Sequence, residues 1–238
     1  MLTFMFVGGI IFWSCASNVQ PRNPMDRMPT NVPVELEEQE IQEEAIEVVA
    51  ELSERDKKIN EVVALWNMFY DDQGVRAHKR RAKFPEYASY LVDAVEMYEN
   101  TPTDIGGQLP TNVDNHLIVA TMAALETSVK PEVIGYSRGE VGLLQIHGKG
   151  ALAGHTKQEV IKNPKLGLIL GVRWLAYHTQ FCDQKSNIDG WAKPLSLYGA
   201  GLKGGRHENG KCKKIGVARK RVRLAKFYRT RIRAAISS

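Results

Sequence analysis

Glu126 is the residue whose type and position most readily do chemistry. It follows an apolar stretch in which Leu117, Ala120, Thr121, Ala124 and Leu125 recur at spacings of three and four, the period of a helix. A carboxyl group at the end of such a helix meets the negative pole of the helix dipole. Apolar neighbours at Met122 and Leu125 add desolvation if the site closes. Both effects favour the protonated acid. A carboxylic acid still protonated near neutral pH is what cleavage of a glycosidic bond needs as its general acid. Taken by position alone, Glu126 reads first as a terminal carboxylate facing water; the segments downstream change that.

Downstream, residues 135–146 read GYSRGEVGLLQI. Gly139 and Gly142 permit a close backbone approach, while Leu143, Leu144 and Ile146 supply an edge to bury. Gln145 is a neutral polar group among leucines, and a buried amide needs a partner from the protein or from a ligand. Residues 196–201, SLYGAG, hold Tyr198 beside small residues. Trp174 sits at a helical spacing that suits a core, and Trp191 is free either to pack or to stack on a sugar ring. His147 and His155 read as ordinary polar residues. No HExxH or CxxC spacing occurs, so no metal and no cofactor is expected.

These residues need a helical scaffold. The spacing of apolar residues predicts one helix or two over 36–71, then helices at 86–99, from about 112 to 126, and at 157–162, 164–181, 189–199 and 216–235. No alternating strand pattern longer than about four residues occurs, so the fold class is all-α. Pro102, Gly106, Gly107 and Pro110 mark a domain boundary between 100 and 112. In the last helix, Val217, Leu224, Phe227, Tyr228 and Ile232 form the expected docking face. The reading places a helical stalk or N-terminal helical region at 35–100 and a catalytic domain at 111–238.

The order ETS, SRGEVGLLQI, NPKLGLILGVRWL and SLYGAG resembles the catalytic domain of the soluble lytic transglycosylase family over about 112–235. That resemblance implies a lysozyme-like, mostly helical fold with a sugar-binding groove. It also implies cleavage of the bond between N-acetylmuramic acid and N-acetylglucosamine in peptidoglycan, without water. Glu126 resembles the single catalytic acid/base. Gln145 and Tyr198 resemble substrate-binding residues of the groove, as does Ser137, with Tyr136 the alternative at its place. Thr127 stands where the family has Ser, Leu144 where it has Met, Glu140 where it has Ala, and Gly199 where it has Asn. His147 and Gly148 replace an apolar-Pro step. A hydrolytic muramidase of the same fold and an inactive wall-binding or structural protein are the alternatives.

The N-terminal residues and the charge distribution bear on location and partners. Residues 2–13, LTFMFVGGIIFW, are too short for a comfortable span and have the length of a signal-peptide core, so 1–20 reads as a signal or membrane anchor. Cys15 then sits where a lipoprotein would be lipidated. Four prolines within 21–34 make a tether. Either reading puts the remainder in the cell envelope, outside the cytoplasm. There Cys182 and Cys212 are either a disulfide worth about 3 kcal/mol or two free thiols. The 238 residues carry a net charge of +5, which hides a split. Residues 35–61 hold eleven acidic against three basic residues, whereas 203–233 hold thirteen basic against one acidic. The basic stretch wants an anionic neighbour, either wall polymer or phospholipid headgroups. Nucleic acid is not expected, because no aromatic-basic or helix-turn-helix signature accompanies the charge.

Overall fold

A computed structural model describes residues 52–111, 114–135, 139–182, 188–205, 212 and 216–236. The expected anchor at 1–20 with Cys15, the tether at 21–34, the acidic residues 35–51 and Ser137 with Tyr136 lie outside the described residues.

Helix α1, Glu54–Asp72, begins where the Ser53 hydroxyl accepts the Asp56 N–H, with Glu54 and Asp56 in the favourable first turn. A short α2, His78–Arg81, follows. Helix α3, Phe84–Asn100, carries Pro85 in its first turn, where a missing N–H costs nothing. Helix α4, Asn115–Thr127, is buried on nearly every side, from Asn115 through Ala124. Then come α5, Gly148–Leu152, and α6, Lys157–Lys162, the latter started by a capping box between Thr156 and Glu159. Helix α7, Pro164–Thr179, is capped by Asn163 and runs through the middle of the core. A 3-10 turn, Ile188–Trp191, leads into α8, Ala192–Gly205, and α9, Gly216–Ile236, closes the described chain. Among the described residues there is no strand, only isolated bridges pairing Val141 with Ile134 and with Ile146. The all-α class therefore holds for these residues.

Residues 51–238 form one unit, and the stalk reading is corrected for its described part, 54–100. Val62, Leu65 and Trp66 of α1 and Leu91 and Val95 of α3 lie in the same core as Leu117 of α4 and Leu175 of α7. The Trp66 indole N–H donates to the Ala120 carbonyl at 2.9 Å, fastening α1 to α4. The reason is the breadth of the apolar face of α1: Val62, Leu65, Trp66, Phe69 and Tyr70 are all buried, more than a solvated spacer would carry.

The breaker cluster at 100–112 is an internal turn of this unit and not a boundary. The Arg173 guanidinium donates twice to the Asp104 carboxylate, at 2.5 and 2.7 Å. The Thr179 hydroxyl donates to the Gln108 carbonyl at 2.8 Å. Gly107 permits the close approach, since a Cβ there would come 2.9 Å from the Tyr177 Cα.

The docking face of α9 also differs from the expected one. Val217 and Phe227 are 57% and 50% exposed, whereas Ala218, Arg221, Val222, Ala225, Tyr228 and Ile232 are buried. Ala218 and Ala225 let the helix approach closely, and Arg221 enters because it finds a carboxylate inside.

Candidate active site

Thr127 fixes where Glu126 stands. Its hydroxyl donates to the Ala123 carbonyl at 3.0 Å and lies 3.4 Å from the Leu143 carbonyl, so the end of α4 is tied to the segment carrying Gln145. The same hydroxyl accepts the Lys130 N–H at 3.2 Å. The helix then ends abruptly. Ser128 and Val129 both have left-handed backbone, φ 50° and 55°, and the Val129 N–H bonds back to Ala123. A buried β-branched residue in that region is strained, and such strain persists only where surrounding contacts over-determine it. Here the Tyr70 hydroxyl donates to the Ser128 carbonyl, and the Val129 side chain is fully buried.

Residues 133–135 and 139–146 are tied together by backbone bonds near the end of α4. The Gly135 N–H donates to Glu140, and Val141 and Ile146 exchange both backbone bonds at 3.0 Å. Leu144 is seated against α7 because Gly171 has no side chain; a Cβ there would come 2.9 Å from the Leu144 Cβ. Gln145 adopts φ 50°, and its side-chain amine donates to the Val133 and Gly142 carbonyls, each at 3.1 Å. Both N–H donors are thereby committed, so the group Gln145 can offer a ligand is its oxygen, an acceptor.

Tyr198 of α8 sends its hydroxyl to the Leu144 carbonyl at 2.7 Å, and burial pushes that phenol far above its ordinary value. It is a neutral donor holding the 143–146 segment in place.

Glu126, Gln145 and Tyr198 line one cavity of about 320 Å³, together with Gly135, Glu140, Leu144, His147, Gly199 and Arg221. The structure therefore brings three of the four sequence-derived site residues together. Trp191 takes the packing alternative: it is fully buried, and its indole N–H donates to Asn115 at 3.1 Å. Trp174 stacks on Tyr177 with ring centroids 5.0 Å apart. Cys182 and Cys212 form a disulfide, with Cα atoms 5.7 Å apart. Among the described residues no group of three or more His, Cys, Asp or Glu side chains is placed to hold a metal ion.

Arg221 is the site residue that the sequence reading missed. Its Nη2 donates to Glu126 Oε1 across an ion pair in which the arginine side chain is 9% exposed and the glutamate 24%. Burial lowers the guanidinium to about 10, which leaves it charged at neutral pH. A guanidinium on the carboxylate favours the ionised form, opposite in sense to the helix dipole and the apolar neighbours. The available signal was the stripe Ala218, Arg221, Val222, Ala225, Tyr228, whose steps of three and four place the arginine on the small-residue face. Other cations of α9 also hold the fold: Arg229 and Arg233 pair with Asp114, and Arg231 with Asp72.

A second cavity, about 660 Å³, is lined by Arg76, His78, Lys79, Arg80 and Lys83 around Glu132, a basic cluster that sequence reasoning passed over. No helix among the described residues is long and apolar enough to cross a membrane. Compared with protein-family models, curated proteins and solved structures, the chain finds no match.

Proposed function

We propose that the protein is an exported, membrane-tethered peptidoglycan lytic transglycosylase that uses Glu126 as its acid and base. The observation that carries this reading is a carboxyl at the strained end of a buried helix, lining a cavity with Gln145 and Tyr198. Glu126, paired with Arg221 at rest, takes up a proton as bound glycan displaces water; it then protonates the glycosidic oxygen, and the bond from that oxygen to the muramic acid C1 breaks. The carboxylate so formed, stabilised by Arg221, then takes the proton of the C6 hydroxyl while that oxygen closes on C1. The products are a 1,6-anhydro end and a free 4-hydroxyl, and Glu126 is again protonated. No water and no second carboxylate is consumed, unlike the two-carboxylate scheme of most glycosidases.

The disulfide supports the location, because such bridges persist in oxidising compartments. Arg219, Lys220 and Arg223 are exposed on α9 and suit an anionic wall polymer or phospholipid surface. One observation favours a hydrolytic muramidase instead: Glu140 is a second carboxylate on the same cavity and would serve to activate water.

The test is clearance of purified peptidoglycan. The wild-type chain is expected to clear it, and Glu126→Gln to be slower by about 100-fold or more, the usual worth of a general acid. Undiminished clearance by that variant would refute the assignment.

A further inference from the structure

Arg221 has a donor that no described residue uses. Its Nη2 serves Glu126, but its Nη1 is fully buried and has no hydrogen-bond partner among the described residues. Buried guanidinium N–H groups are nearly always satisfied, so one left open on a cavity wall points to an absent acceptor. The open space lies beside Gly199. A Cβ at that position would stand 3.4 Å from Nη1, so glycine backbone, and not a side chain, covers the buried donor there.

We propose that Arg221 Nη1 binds the carbonyl oxygen of an N-acetyl group on the sugar held beside Glu126, making Arg221 a specificity-determining residue. Charge selects a neutral acceptor. The guanidinium is already matched by Glu126, so an incoming carboxylate would compete with Glu126 for the same buried cation. Gln145 supplies the complement. Its N–H donors are committed to Val133 and Gly142, which leaves its oxygen for an acetamido N–H. An amide group carries both the acceptor that Nη1 lacks and a donor for the Gln145 oxygen, which a hydroxyl at that carbon does not do as well.

This inference rests on the glycan-cleaving reading, and its test separates the two. Calorimetric titration of the full chain at pH 7 uses chitohexaose, which carries N-acetyl groups, and cellohexaose, which carries hydroxyls there. Wild type is expected to prefer chitohexaose by about tenfold or more. Gly199→Asn places an amide oxygen next to Nη1 without unpairing Glu126. It is expected to fold with undiminished melting temperature and to lose most of that preference. Arg221→Lys is expected to lose it as well.

If Gly199→Asn keeps the wild-type preference, or wild type binds both sugars alike while still clearing peptidoglycan, the Arg221 assignment is overturned and the lytic reading stands. If chitohexaose does not bind while wild type still clears peptidoglycan, the acetamido assignment is overturned. If wild type neither binds glycan nor clears peptidoglycan, both fall.

Discussion

Glu126 and Arg221 form the pair on which the site turns, and their partners define what each can do. Glu126 lines the cavity and is one-quarter exposed, while its partner Arg221 is buried. Tyr198 acts on this pair at one remove, since its hydroxyl is committed to the Leu144 carbonyl. Tyr198→Phe leaves that carbonyl unpartnered. It is expected to lower stability by about 1–2 kcal/mol in urea titration and to slow peptidoglycan clearance by reducing kcat more than it raises KM. Unchanged stability would mean the carbonyl finds another donor. At this scale the sequence showed Glu126, Gln145 and Tyr198 because each stood out chemically against its neighbours. Arg221 did not stand out, being one of thirteen basic residues in a charged stretch and assigned to the surface by type. Its burial depends on a long-range meeting with a carboxylate 95 residues away.

Helices α3 and α4 meet through Glu99, whose carboxylate accepts the Asn115 amide at 2.6 Å, while Asn115 accepts the Trp191 indole N–H. Burial is the main influence on Glu99 and raises its carboxyl above the ordinary value, outweighing the Asn115 bond and Lys58. A carboxyl raised on folding contributes stability that is fully present below its unfolded value near 4.5 and is lost as pH rises through the folded value. Glu99→Gln keeps an acceptor for Asn115 and removes the charge. The variant is expected to be more stable than wild type at pH 7 but not at pH 4, as read from urea midpoints across that range; equal midpoints at pH 7 would contradict the burial argument. Element positions were legible from the three- and four-residue period: the apolar residues within 86–99 and 164–181 correspond to α3 and α7. Two short helices, α2 and α5, escaped because four or five residues cannot display a period. The face of α9 escaped because large apolar residues were weighted over the alanines that permit contact.

Across the whole described unit, the disulfide Cys182–Cys212 closes a loop that contains α8, which carries Tyr198 and Gly199, and lies ahead of α9, which carries Arg221. Closing that loop of about thirty residues is worth about 3–4 kcal/mol in the chain-entropy account. Reduction, or Cys182→Ser with Cys212→Ser, is expected to lower the melting temperature by about 10 °C or more and to reduce activity with it. A melting temperature unaffected by reductant would show that the bridge carries no load. The breakers at 100–112 misled at this scale because Pro and Gly report a turn without reporting whether the next helix packs on the last one. Arg173 and Asp104, 69 residues apart, settle that question through contacts no local pattern encodes.

The central claim concerns the atom that attacks C1, and isotopic product analysis reads it directly. Purified peptidoglycan is digested by the wild-type chain in water enriched in oxygen-18, and the released muropeptides are weighed by mass spectrometry. Intramolecular attack by the C6 hydroxyl predicts 1,6-anhydro muramic ends with no oxygen-18 at C1. Reducing ends carrying one oxygen-18 would contradict it and assign the attack to water.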